Sequence, residues 1–172
     1  QVLLVSTAVA PLGSGGGGGV ELLVVNLAKI LPRLGHGATV LAPAGSDVAG
    51  LDREHGFELL SAPEGRLEGM AQHRARGSEA SVSPGSALAK TWLEAARIQR
   101  RFDVIVNFCF DWLPMYQTYA FSTPIVHWVQ MGSQSDPVDD MVARLASEMP
   151  QRLACYTRAQ AMTFPSGGEA FT

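Results

Sequence analysis

Six short runs of almost wholly apolar residues punctuate the chain: Val2 to Ser6, Ala38 to Ala42, Phe57 to Ser61, Phe102 to Phe108, Pro124 to Gln130 and Leu153 to Thr157. A strand without polar alternation has no face to give to water, which is the condition of a parallel sheet covered on both sides. Helical spacing fills the gaps between the runs. Val20, Leu23, Val24, Leu27, Ala28 and Leu31 make the first gap apolar on almost every side, as a helix packed on a sheet requires. Gly35 follows as a left-handed terminator, and Pro32 is expected to kink or shorten the last turn. Ser83 and Pro84 read as the cap and first position of a second helix, with Leu88, Trp92, Ala95 and Ala96 facing inward. Leu113 to Phe121 predicts a short helix, and Asp136, Pro137 and Asp139 open another that ends before Pro150. Strands alternating with helices imply right-handed crossovers, hence a doubly wound, Rossmann-like α/β domain with a parallel sheet.

The length of 172 residues suits one such domain, able to bury ~70% of its unfolded surface without a disulfide or metal staple. An apolar fraction of 47% and a charged fraction of 17% are those of a soluble globular protein. A formal charge of -3 argues against a nucleic-acid partner, since binding a phosphate backbone calls for a basic surplus. No stretch approaches the ~20 apolar residues of a membrane span. Cys109 and Cys155 lie far apart with no CxxC or Cys/His cluster, so no metal is expected, and they read as reduced, buried thiols of a cytoplasmic protein. The opening QVLLVST reads as a strand entered from upstream rather than a signal peptide, and the close at EAFT is abrupt. Both suggest a piece of a longer protein.

Sheets of this class bind ligands past the carboxyl ends of their strands, near the reversal in strand order. That rule selects the glycine run, the Asp111-Trp112 turn, His127 onward, and Tyr156 to Arg158. Residues 13–19 hold six glycines and Ser14, directly before a helix. Bare backbone amides and a helix dipole favour a phosphate-bearing ligand, while a flexible loop without a ligand is the plainer reading. A P-loop is excluded, because Val20-Glu21 stands where Lys-Ser/Thr is needed. The dinucleotide pattern GxGxxG can be laid on Gly13, Gly15 and Gly18. However, Thr7 to Leu12 separate it from the strand, the second strand ends without an acid, and Asp47 comes too late. An NAD(P)-binding oxidoreductase domain is therefore an alternative, as is a stand-alone module for a phosphorylated metabolite. Residues 63–83 show no usable period and read as a binding loop or a disordered excursion. Within them His73, Arg74 and Arg76 either contact an anionic acceptor or are solvated. His36 and His55 are expected on the surface.

Taken together, Gly18-Gly19-Val20-Glu21, the helix end Leu31 to His36, the strand Thr39 to Pro43, FDVIVNF and the strand bearing His127 resemble the N-terminal domain of family 4 glycosyltransferases of the GT-B fold. The likeness covers nearly all of the chain. PLGSGGGGGVEL, LAPAGS, NFCFDWLP, MGSQS and AQAMTFP are similar, within that family, to enzymes that glucosylate a pterin such as tetrahydrobiopterin. The resemblance implies a retaining hexosyltransferase without a metal or bound cofactor, with a nucleotide sugar, UDP-glucose, as co-substrate. It implies that this domain holds the acceptor, that a second, C-terminal domain holds the donor, and that this piece alone is inactive. It assigns catalysis to His127, facing the sugar; Asp111, placed after the fourth strand where an acceptor can be reached, is the second catalytic candidate, its carboxylate taking a hydrogen bond from the acceptor hydroxyl or a pterin amino group. Gly16, Gly17, Gly18, Gly19 and Glu21 would hold the donor phosphates or substrate. Trp112 and Tyr116 offer flat faces on which an acceptor ring would stack, and Gln134 and Arg158 are further acceptor-binding candidates by their place in the topology alone. For His127 the plainer alternative is a satisfied core histidine, for Glu21 a mere complement to the helix dipole, and for Asp111 and Trp112 a surface turn.

Overall fold

The computed structural model describes residues 1–69, 76–77 and 81–172. Six strands form one sheet: β1 (Val2–Val5), β2 (Ala38–Ala42), β3 (Glu58–Ser61), β4 (Val104–Asn107), β5 (Ile125–Trp128) and β6 (Leu153–Ala154). Every pairing is parallel, in the order β3-β2-β1-β4-β5-β6, so the expected doubly wound α/β domain is what forms. β1 lies between β2 and β4, with Val5 opposite Leu41 on one side and Asn107 on the other. Its centre, Leu3 to Val5, has no access to water, as a run with no polar alternation demands.

Successive side chains of β1 serve opposite layers. Leu4, with Val40 and Phe108, packs under α1 (Gly19–Ile30) and α2 (Leu51–His55) through Val24, Ala28 and Phe57. Leu3 and Val5, with Leu41 and Ile105, pack under α3 (Ala87–Ile98) through Leu88, Trp92 and Ala95. α4 (Trp112–Gln117) and α5 (Asp136–Glu148) close the far end over Val129 and Leu153, and α6 (Arg158–Ala161) follows the last strand.

Local departures from expectation have local causes. Of the two expected effects, Pro32 shortens α1, which ends at Ile30, and does not kink it. It opens a separate 3-10 turn, Pro32–Leu34, where its missing N–H costs nothing, and Gly35 closes that turn in the left-handed region at φ 84°. α3 starts three residues later than Ser83: Ser86 is the cap, accepting the Ala89 N–H at 3.1 Å, while its own N–H donates to the Ser83 carbonyl in a turn. Leu88, Trp92 and Ala95 are buried, but Ala96 is only half-buried. α2 is a single turn between Gly50 and Gly56, too short to show a period. β6 has two residues instead of five. Its outer edge is met by the chain itself, the Thr172 N–H donating to the Leu153 carbonyl at 3.2 Å. Cys155 is consequently half-buried rather than buried, and both cysteines are unpaired. His36 is exposed, whereas the His55 side chain is largely covered, with the Arg33 guanidinium 3.3 Å from its Nδ1. Among the described residues no helix is long and apolar enough to cross a membrane.

Candidate functional site

The chain leaves β1 toward β2 on one side of the sheet and reaches β4 and β5 on the other, so the reversal in strand order falls between β1 and β4. A cavity of about 390 Å³ opens at that point. Its floor is the exits of the two strands, Thr7 to Val9 and Phe108 to Asp111. Its lip is Gly18 to Glu21 at the start of α1, and Glu68, Gly69, Leu88, Gln130 and Met131 complete the wall.

The glycine run divides into two halves with different tasks. Gly13 sits at φ 79°, and a Cβ there would fall 1.9 Å from the Asp47 carbonyl oxygen, so only glycine fits. Two bonds strap this half to the loop after β2: the Asp47 N–H to the Leu12 carbonyl and the Leu12 N–H to Ser46 Oγ, both 2.9 Å. The second half is the start of α1. Here Glu21 folds back so that its carboxylate accepts the Gly18 N–H at 2.6 Å and the Thr7 hydroxyl. Glycine has no side chain to return the favour, so this is half of a capping box. A Cβ on Gly17 would lie 2.7 Å from Glu21 Cδ, so the bare backbone makes room for the carboxylate itself. A ligand's phosphate takes such a place at helix starts, and in this protein a side chain holds it.

Asp111 is buried, lines the cavity and caps α4, its Oδ1 accepting the Leu113 N–H at 3.1 Å. Gln130 stands at the opposite wall with both ends of its amide engaged: Nε2 donates to the Trp128 carbonyl at 2.8 Å, and Oε1 accepts from the Tyr156 hydroxyl at 2.5 Å. Cys109 lines the floor, but burial pushes its thiol up to about 12 and its Sγ–H donates to the Ser6 carbonyl at 3.0 Å. It is a neutral packing group there and no nucleophile.

His127 lies outside the cavity lining. It is fully buried within β5, opposite Asn107 of β4. Asn107 Oδ1 accepts the Cys109 N–H at 2.9 Å, so Nδ2 faces the ring and donates to His127 Nδ1 at 3.1 Å. The proton therefore sits on Nε2, 2.7 Å from Thr118 Oγ1. Burial first, then the charge of Arg152, lowers the imidazole to about 3. The expectation of a sugar-facing histidine thus meets a neutral ring closed in on both nitrogens.

Of the other expected site residues, the structure brings Gly18, Gly19, Glu21 and Asp111 together. Gly17 faces an adjoining groove of about 440 Å³ on the other side of the α1 start, along with Gly13, Leu22 and Val48. Gly16, whose N–H donates to Ser14 Oγ at 3.2 Å, lines neither space. Trp112 packs on the core beneath α5 and meets Tyr116 edge-on at 6.3 Å, while Tyr116 is exposed on α4. Gln134 and Arg158 are exposed and away from the lining. His73 and Arg74 lie outside the described residues. Arg76 is directed at the protein: its guanidinium bonds Asp136 and the buried Asp139 at 3.0 Å and reaches Ser133.

Thr7, Glu68 and Gln130 are polar lining residues that motif reading passed over. The apolar run reads as a strand up to Gln130, but β5 ends at Trp128, and only with that end known does the rule that ligands sit past strand ends select residues 129–131 over His127. No protein-family model matches the chain, and neither does any curated protein.

Proposed function

We propose that the chain is the acceptor-holding domain of a retaining family 4 glycosyltransferase, drawing on UDP-glucose and glucosylating a small pterin, with a second domain holding the donor. The observation that carries this reading is the chemistry of the cavity wall. Among the described lining residues, three carboxylates (Glu21, Glu68, Asp111) and the Gln130 amide border an otherwise largely apolar space, and none is lysine, arginine or histidine. Hydrogen-bond acceptors of this kind suit a ligand rich in O–H and N–H and repel a diphosphate. That favours an acceptor over a donor in this half of the cleft. Glycosyl transfer forms a bond from the acceptor oxygen to the anomeric carbon as the bond to the diphosphate breaks and the hydroxyl proton passes to the departing diphosphate, so orienting that hydroxyl is the task left to this domain. Asp111 accepts a hydrogen bond from it, and Gly18 and Gly19 keep the lip open. His127 supports from beneath, locking the ends of β4 and β5 in register. Unpaired Cys109 and Cys155 fit a cytoplasmic enzyme.

The strand order is also that of dinucleotide-binding domains, which supports an oxidoreductase as the second reading. Against it stand Glu21 at the pyrophosphate position and β2 ending in Ala42-Pro43 without an acid for a ribose.

The test is product analysis by mass spectrometry, incubating the complete protein with a panel of UDP-sugars and pterin or lipid acceptors. One hexose added to the pterin from UDP-glucose is the expected result, and no transfer from any sugar to any acceptor sinks the reading. Asp111→Asn should raise the acceptor KM about tenfold and leave the donor KM unchanged. The reverse pattern would move Asp111 to the donor side.

A further inference from the structure

A glutamine amide offers two N–H groups and two oxygen lone pairs, and which end faces which neighbour is decided by those neighbours. At Gln130 the Trp128 carbonyl can only accept, so Nε2 must face it, at 2.8 Å. That leaves Oε1 toward the Tyr156 hydroxyl at 2.5 Å, and the phenol must be the donor. A phenol keeps its proton at neutral pH, and the partial burial of the half-exposed Tyr156 raises its hydroxyl further. The phenol is itself held. Its ring lies 5.9 Å from that of Trp128, and the Tyr156 backbone N–H donates to Gln160 Oε1 at 3.2 Å. Gln160 Nε2 in turn donates to the Val129 carbonyl at 2.9 Å. Two glutamines and a tyrosine thus lace the segment after β5 to the start of α6.

One N–H and one oxygen lone pair of Gln130 remain, on a residue that lines the cavity. A donor and an acceptor on one amide are the complement of a hydroxyl, which gives one hydrogen bond and takes one. We propose that Gln130 binds the hydroxyl-bearing acceptor in this cavity and that Tyr156 is the positioning residue that sets the orientation of its amide. This rests on the glycosyl-transfer reading above. Without the phenol the amide keeps a single restraint and turns about its last bond, so the acceptor is held in more than one pose.

The experiment uses the complete enzyme with UDP-glucose and tetrahydrobiopterin as probes, comparing wild type, Tyr156→Phe and Gln130→Ala. Tyr156→Phe keeps the ring on Trp128 and removes only the hydroxyl. It should raise the acceptor KM about fivefold, with the donor KM and the melting temperature unchanged, and Gln130→Ala should raise the acceptor KM further. A merely structural role for Tyr156 would instead move stability, or both KM values together, and either result overturns the proposal. So does a Tyr156→Phe enzyme kinetically identical to an active wild type. A wild type that transfers no sugar overturns the glycosyl-transfer reading first, and the role of Gln130 with it.

Discussion

The amide of Asn107 has one orientation open to it, because the Cys109 N–H can only donate and so demands the oxygen. This choice passes along the row: Asn107 Nδ2 meets His127 Nδ1, the imidazole carries its proton on Nε2, and Thr118 receives it. A second proton on the ring has nowhere to go. The sign of the pH effect follows. The unfolded histidine titrates near its ordinary 6.5 and the folded one near about 3. Above pH 6.5 both are neutral and the ring costs nothing. As pH falls below 6.5 the unfolded chain takes a proton the folded one refuses, so stability drops by up to about 1.4 kcal/mol per pH unit until the folded value is reached. Urea unfolding of His127→Gln should show a shallower decline than wild type across this window, and equal slopes would place the protonation elsewhere. Histidine in an apolar strand is visible from sequence; that its two nitrogens are satisfied by a cross-strand asparagine and a helix-end threonine is not.

At the scale of elements, caps and ends decide where chemistry can occur. Ser83-Pro84 has the composition of a helix start, yet the hydroxyl that reaches an orphan N–H belongs to Ser86. The two serines are therefore separable. Ser86→Ala should cost about 1 kcal/mol in thermal unfolding, and Ser83→Ala less than about 0.5 kcal/mol. Comparable losses would return the helix start to Ser83. The same reasoning governs α1 and β5. Glu21 was legible as a first-turn acid, and its dipole role is fulfilled through the Gly18 N–H. The end of β5 at Trp128, two residues short of the apolar run, is what turns Gln130 from a strand residue into a cavity residue.

For the whole molecule, the strand order by itself leaves the ligand open, since it is the order of dinucleotide-binding domains and one fold hosts many unrelated functions. The side chains at the reversal point weigh against a dinucleotide. With the Glu21 carboxylate on the α1 start and no acid closing β2, titration of the chain with NADH or NADPH should give no saturable change in nucleotide fluorescence. Saturable binding would restore the oxidoreductase reading.

The sequence alone determined the sheet, its parallel sense and the region of the candidate site. These follow from local facts: apolar runs that can spare no face for water, helical stretches between them, and glycines ahead of a helix. The tertiary structure decided which groups meet. Gly13 against Asp47, Arg76 against Asp139 and Tyr156 against Gln130 are encounters between segments remote along the chain. Only the crossovers bring them within hydrogen-bond or contact distance. No periodicity in a sequence encodes a contact that folding itself creates.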